Sequence, residues 1–383
     1  MSALERMCFL VEWFDVHAQL TRQYQLFYYD SDNSIEMYDP KQKRTFLKRT
    51  KTEELKLQDF HVGAAVNVYA RQLTIVDYGD EFTRSKLSQK MESALVVIKP
   101  DAIDMAGEIL DTLISNGFVI CKLRMLKLSR KLAEEVCMVS SGTQPYFNDL
   151  VSSLEGPRAM ALELMKSSAV SELARIAGPA IVADAKSTQP ASLRAQFGHV
   201  GYKNGIHISS DPTAAKKEIS LLFDNQVKRD ARTAVFRKST LAIIKPHAIH
   251  AGLTGKIIAS ITQNGYKISD AETFYLDRVN AEEFLEVYKT VVPEYQKMVD
   301  ELTSGPLVAL EIISSSGNEE GIVSQFREFV GPNDPGLGKK LRPKSLRALY
   351  GQDKVRNAVH CTDLEEDGLL EVQFFFRIMA NTV

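Results

Sequence analysis

The hydrophobic pattern changes character once along the chain and then repeats. Over the first 91 residues, short runs rich in aromatic and β-branched side chains recur: Phe9 to Phe14, Tyr24 to Tyr29, Ile35 to Tyr38, Thr45 to Leu47, Val66 to Tyr69 and Leu73 to Val76. Turn formers such as Asp30-Ser-Asp-Asn33 separate them. Strand-length runs broken by turn residues predict a small all-β domain over 3–91.

From residue 92 the period lengthens. An apolar strand ends at Lys99, and an amphipathic stretch from Glu108 to Ser115 stops at Asn116-Gly117, a helix C-cap signal. A second strand is expected from Val119 to Leu128, then a helix, a Gly156-Pro157 turn and a third strand from Arg158 to Leu164. The same series follows Lys245: a helix from Lys256 to Gln263, a strand near Lys267 to Leu276, and another from Leu307 to Ile313. Two helices on a small, mainly antiparallel sheet predict an α+β fold of the ferredoxin-like type.

The repetition is literal. Leu95-Val-Val-Ile-Lys-Pro-Asp-Ala-Ile103 returns as Leu241-Ala-Ile-Ile-Lys-Pro-His-Ala-Ile249, and Asn116-Gly-Phe118 as Asn264-Gly-Tyr266. Gly156-Pro157 answers Gly305-Pro306, and Gly178-Pro179 answers Gly331-Pro332. Ser192-Leu-Arg-Ala195 answers Ser345-Leu-Arg-Ala348, and Asn204-Gly-Ile-His207 answers Asn357-Ala-Val-His360. A period of a whole domain marks two tandem copies rather than a solenoid. The copies are expected at 92–225 and 239–380, joined by a basic linker over 226–238. Neither copy has a Walker A loop or a G-x-G-x-x-G turn, which excludes P-loop and dinucleotide-binding architectures.

Charge and cysteine usage narrow the setting. Lys+Arg of 47 against Asp+Glu of 49 leaves −2, so no global field draws the chain to nucleic acid, and any polyanion site must be local. Cys8, Cys121, Cys137 and Cys361 stand far apart, which argues against a zinc site or a disulfide scaffold and suits a reducing compartment. Phe9-Leu-Val11 is too short for a signal-peptide core, and no apolar run approaches the roughly 20 residues of a membrane span. A cytoplasmic protein with no membrane partner is expected.

The candidate chemistry lies in polar residues that both copies share. Each has an arginine 13 residues before a histidine, Arg194 to His207 and Arg347 to His360, with Asn204 and Asn357 three before it. Glu218 and Glu371 follow the histidines by 11 residues. A histidine becomes a nucleophile when a carboxylate holds one ring nitrogen and the other faces substrate. Lysine, arginine and asparagine can neutralise or hydrogen-bond a transferring phosphate. Each residue alone has a bland reading, since a lone strand-end lysine is usually solvated and a lone histidine usually structural. Order and spacing preserved twice favour a shared ancestral site.

Ile98-Lys-Pro-Asp101, the Gly-Pro turns, Ser-Leu-Arg and Asn-x-x-His resemble nucleoside diphosphate kinase, over about 92–225 and 239–380. The resemblance implies γ-phosphoryl transfer between nucleotides through phosphohistidine. It casts His207 and His360 as nucleophiles and Glu218 and Glu371 as the groups that orient them. Lys99, Lys245, Arg194, Arg347, Asn204 and Asn357 would hold phosphates or ribose, and Mg2+ would arrive on the nucleotide rather than in a protein metal cage. Both copies depart from the family's base-clamping helix, which carries Tyr and then Arg-Pro-Phe. Copy one has Met138 and then Gln144-Pro-Tyr146; copy two has Tyr288 and then Val292-Pro-Glu294, with Tyr295 adjacent. The arginine before the second Gly-Pro turn is Arg327 in copy two, whereas copy one has Ala174 with Arg175 beside it.

In the β-domain, Lys41, Lys43, Arg44, Lys48, Arg49 and Lys51 form a basic run without an acid, readable as a solvated face or as a local polyanion contact. Phe27-Tyr-Tyr29, Ile35-Glu-Met-Tyr38 and Arg44-Thr-Phe-Leu-Lys-Arg49 resemble the DM-ten domain of ciliary axonemal proteins. One such domain before two kinase-like domains is the order of a ciliary branch of the family. That resemblance implies tubulin of axonemal doublet microtubules, neighbouring microtubule proteins and the gamma-tubulin ring complex as partners. The location implied is cytoplasm, cytoskeleton and cilium axoneme.

Overall fold

The computed structural model describes residues 6–380 apart from 16–17, 19, 53–54, 70, 89–90, 142–144, 225–226, 228–229 and 315–320. Gln144 and residues 226 and 228–229 of the expected linker fall outside the described residues. The chain divides into two compact units, 1–91 with 275–306, and 92–274 with 307–383.

The first unit is built on a six-stranded antiparallel sheet: β1 (Met7–Asp15), β2 (Leu20–Tyr29), β3 (Ser34–Asp39), β4 (Arg44–Lys51), β5 (Ala65–Val68) and β6 (Arg71–Tyr78), in the order β4-β3-β2-β1-β6-β5. Alternate residues Phe9, Val11, Leu26, Tyr28, Val66, Leu73 and Ile75 make its core. On the opposite face Cys8, Phe27 and Tyr29 form a second, smaller buried cluster with Tyr38 packed against it, while Thr74 and Val76 of β6 are exposed. A helix, Glu81–Ser88, follows, and Thr83 accepts the Cys8 N–H at 2.7 Å. Two helices from the second copy, Arg278–Phe284 and Tyr295–Leu302, belong to this unit and are cross-linked by Arg278, which bonds Glu282 and Asp300 at 2.9 Å each. Gln72 donates to the Leu276 carbonyl at 2.9 Å and Asn67 to Thr303 at 3.2 Å, tying β5 and β6 to this segment.

The second unit holds one eight-stranded antiparallel sheet made by both copies: β7 (Glu92–Ile98), β8 (Val119–Leu128), β9 (Gly156–Lys166), β10 (Ile206–Ile208), β11 (Thr240–Ile244), β12 (Tyr266–Phe274), β13 (Leu307–Ser314) and β14 (Val359–Cys361). The order β10-β7-β9-β8-β12-β13-β11-β14 is one four-strand ferredoxin-like sheet followed by its mirror sequence, joined at β8 and β12. The predicted α+β architecture is therefore present twice after an all-β domain. What the repeat did not reveal is that its two sheets fuse. β7 explains the long apolar run: Ala94, Val96 and Ile98 enter one core while Leu95 and Val97 enter another. A strand covered on both faces has no polar alternation to show.

The first of those cores is shared. Ile109, Leu110 and Leu113 of the helix Ala106–Ser115 pack with Ile257, Ile258 and Ile261 of the helix Thr254–Gln263. The two helices touch at equivalent points. A Cβ on Gly107 would lie 2.2 Å from Ala259 N, and one on Gly255 would lie 2.2 Å from Asp111 N. In the register set by Asn116 and Asn264, Gly107 answers Gly255, Asp111 answers Ala259, and Arg124 answers Glu272. Arg124 and Glu272 pair across the β8–β12 junction. The copies are thus related by a local two-fold axis that passes between equivalent residues.

Candidate active site

In copy one, β10 pairs with β7 through His207 opposite Val97, at the sheet edge where β7 runs into Lys99. The helix Pro212–Leu222 starts on an Asp211 N-cap, whose carboxylate accepts the Thr213 and Ala214 N–H groups. It presents Glu218, fully buried, to the imidazole. His207 Nε2 lies 3.0 Å from Glu218 Oε1. With Nε2 held, Nδ1 is the ring nitrogen left to meet a ligand. Ser209 and Ser140 also donate to Glu218. Burial pushes the Glu218 carboxyl up, but the hydrogen bond and charge of His207, with the hydrogen bonds of the two serines, outweigh it and hold the carboxyl below its ordinary range.

Lys99 is 2% exposed and donates from Nζ to Asn204 Oδ1 at 2.8 Å, the Tyr202 carbonyl at 2.8 Å and Ser153 Oγ at 2.9 Å. Burial, with Arg194 adding to it and Asp101 opposing, pulls its pKa down to about 7. Asn204 donates in turn to the Ala180 carbonyl at 2.6 Å. Arg194 reaches the carbonyl of Gly178 at 2.7 Å. Gly178 has φ +77, and a Cβ there would meet Ser192 Oγ at 2.4 Å, so both the backbone angle and the close approach require glycine. The Arg194 Nε is buried with no hydrogen-bond partner among the described residues, a donor suited to an anionic oxygen.

Two sequence candidates lie differently. Tyr146 stacks on Tyr202 with ring centroids 5.3 Å apart at 20°. Arg175 is exposed and bonds Glu172 at 3.1 Å, one turn back on its own helix.

Copy two repeats the arrangement. His360 on β14 lies opposite Ile243 of β11, and its Nε2 is 3.1 Å from Glu371 Oε2. Thr362 donates to the same oxygen at 2.8 Å, whereas in copy one Ser209 donates to Oε2 of Glu218, the oxygen that His207 does not take. Lys245 is buried and donates to the Val355 carbonyl at 2.8 Å. Arg347 donates to the carbonyls of Gly331 at 2.9 Å and Val359 at 3.0 Å. Asn357 donates to Asn333 and Lys354 carbonyls, each at 3.3 Å, and its buried Oδ1 has no hydrogen-bond partner among the described residues. Arg327 is ion-paired with Asp363 at 3.1 Å. Tyr288 closes the short 3-10 turn Glu286–Tyr288 in the first unit.

Each copy therefore gathers a carboxylate-held histidine, a buried lysine, an arginine and an asparagine. Those cations and amides fit phosphate oxygens, and among the described residues no group of three or more His, Cys, Asp or Glu could hold a metal. The same elements also bring in residues that sequence reasoning passed over. Ser209 and Thr362, a hydroxyl two residues after each histidine, carried a readable signal; Ser140, Ser153 and Tyr202 carried none. His247 stands where copy one has Asp101: Asp101 accepts the Gly205 N–H at 3.1 Å, and His247 Nε2 accepts the Ala358 N–H at 3.2 Å. In the first unit Lys41, Lys43, Arg44, Lys48 and Lys51 are exposed on the β3–β4 hairpin. Arg49 is committed locally, to Asp32 at 2.9 Å, to Ser34 at 2.7 Å and over the Tyr29 ring. Among the described residues no helix is long and apolar enough to cross a membrane.

Comparison with known proteins agrees with this layout. A family model described as the nucleoside diphosphate kinase 7 N-terminal PH domain matches residues 1–89, and one described as nucleoside diphosphate kinase matches 92–227 and 238–380. The chain is 47% identical to nucleoside diphosphate kinase homolog 7 of Rattus norvegicus, over 98% of this chain and 94% of that protein. The protein of the same name from Mus musculus is 46% identical over the same shares. Among solved structures, Aquifex aeolicus nucleoside diphosphate kinase matches 37% of this chain and 96% of its own, with 34% identity and a TM-score of 0.34.

Proposed function

The chain belongs to the nucleoside diphosphate kinase family, and from that premise we propose that it is a nucleotide-binding phosphotransferase that works on the doublet microtubules of the ciliary axoneme. The observation that carries the chemical half is the pair of histidines, each with Nε2 on a buried or nearly buried carboxylate. In this reading Nδ1 attacks the γ-phosphorus of a nucleoside triphosphate, the bond to the β–γ bridging oxygen breaks, and the diphosphate leaves. A second diphosphate then attacks the phosphohistidine and carries the phosphoryl group away. Lys99, Arg194 and Asn204, and in copy two Lys245, Arg347 and Asn357, hold the phosphates and ribose. Glu218 and Glu371 keep the proton on Nε2 and offset the positive charge that develops on the ring. Magnesium comes bound to the nucleotide phosphates and neutralises part of their charge.

The microtubule half rests on the exposed basic hairpin of the β-domain, which complements an acidic lattice. Tubulin, neighbouring wall proteins and the gamma-tubulin ring complex are the partners this reading names, in cytoplasm, cytoskeleton and cilium. Co-sedimentation of the full chain with microtubules, with and without histidine substitutions, tests it. Pelleting that survives His207→Ala/His360→Ala supports docking independent of turnover. Failure of the unmodified chain to pellet at physiological salt would leave a soluble kinase as the remaining reading.

A further inference from the structure

The two-fold junction between the copies contains a buried charged cluster that reaches both sites. Arg124 is 2% exposed and donates to the carbonyls of Leu222 at 2.6 Å and Val227 at 3.0 Å. Leu222 ends the helix that carries Glu218. Across the junction Glu272, the counterpart of Arg124, lies 3.5 Å from Arg232. Arg232 donates to the carbonyl of Phe376, in the turn that continues the helix carrying Glu371. Each arginine thus satisfies one carbonyl near the C-terminal end of a site helix, Leu222 for Arg124 and Phe376 for Arg232, where acceptors are orphaned and the helix dipole favours a cation. Glu272 stands between the two cations. Burial lowers the Arg124 pKa to about 10, and Glu272 followed by Asp270 opposes that effect. Asp270 is itself buried and accepts the Ala234 N–H at 3.0 Å, fixing the segment that delivers Arg232.

We propose that Arg124, Glu272 and Arg232 are positioning residues shared by the two histidine sites, with Glu272 joining them. Glu218 lies one helical turn before Leu222, and Glu371 lies just over a turn before Phe376. Loosening either final turn frees the carboxylate above it and therefore the imidazole that it holds. The two copies are then a coupled pair, and the residue that couples them touches neither site. The proposal rests on the phosphohistidine reading.

The test uses the full chain and Glu272→Gln, read by peptide-resolved hydrogen exchange and by phosphate label at each histidine with Mg-ATP. Expected are faster exchange at both helix ends and roughly tenfold slower labelling at both histidines, milder than the ~100-fold that a 1 Å misplacement can cost. The final extent of label and the half-saturating ATP concentration should not move, whereas partial unfolding would lower the extent. Arg232→Met separates the sides: only the Glu371 helix should loosen and only His360 should slow. Unchanged exchange at both helices in Glu272→Gln, or equal effects on both histidines in Arg232→Met, overturns the proposal. If the unmodified chain takes no label, the phosphohistidine reading fails, and the exchange data alone decide whether the cluster holds both helices.

Discussion

Replacing Glu218 by Gln keeps the side chain's size and removes one negative charge from a fully buried position. The carboxylate takes donors from His207, Ser140 and Ser209, and none is lost for steric reasons in the amide. A hydrogen bond to a charged partner contributes about 1.5–3 kcal/mol. The bond to His207 matters most when the ring becomes cationic on phosphorylation, so most of that energy falls on the transition state. At 1.36 kcal/mol per tenfold, label from Mg-ATP should enter His207 about 10- to 150-fold more slowly. Alkaline quench at timed intervals and peptide mass spectrometry give the rate, with His360 in the same molecule as the internal reference. The stability consequence has a fixed sign. The folded-state pKa of Glu218 lies below the ordinary value, so its ionisation stabilises the fold above the unfolded pKa of about 4.3 and the benefit is lost as pH falls through the lower folded value. The Tm gap between wild type and Glu218→Gln should therefore be steady near neutrality and shrink below about pH 4. A rate within twofold of wild type, or a Tm gap that widens in acid, would refute this placement of charge.

Three further substitutions probe separate parts of the molecule. Gly107→Leu should destabilise the fold by at least the about 1–3 kcal/mol typical of overpacking, with a lower Tm, because its Cβ would collide with backbone of the neighbouring helix; a Tm within about 1 °C of wild type in scanning calorimetry would contradict the close approach. Tyr146→Ala should weaken nucleotide binding at copy one by about 1–3 kcal/mol if the ring stacks on a base, and calorimetry with ADP on a His360→Ala/Lys245→Met background reads that copy alone. Charge reversal at Lys43, Arg44 and Lys48 should reduce microtubule pelleting, most at low salt because the Debye length is about 8 Å at physiological ionic strength; unchanged pelleting removes the hairpin from the contact. Arg49 is left alone there, since its bonds to Asp32 and Ser34 support the hairpin itself.

Local pattern carried most of the fold. The Asn116-Gly117 and Asn264-Gly265 stops fall where the helices end, with both glycines at positive φ. The aromatic and β-branched runs of the β-domain became strands of its sheet because such side chains suit a pleated surface, with β1 and β2 contributing to a buried cluster on each face. The junction of the copies left no such trace. Gly107 and Gly255 read as weak points inside helices, and only the packed pair explains why a side chain cannot be there. Arg124 reads as a misplaced charge in an apolar strand until Leu222, Val227 and Glu272 surround it. At the site, residues spaced identically in both copies could be found by comparing the chain with itself. Ser140, Ser153 and Tyr202 could not, because they reach Glu218 and Lys99 from distant elements by tertiary contact alone.

The most direct measurement is intact and peptide mass spectrometry at alkaline pH after mixing the full chain with Mg-ATP, alongside His207→Ala, His360→Ala and the double variant. A chain that works through carboxylate-held histidines should gain phosphate that is lost in acid. Each single variant should lose the label of its own site, and the double variant should take none. An unlabelled wild type, or equal label in the double variant, would contradict the assignment of either histidine as the phosphoryl carrier.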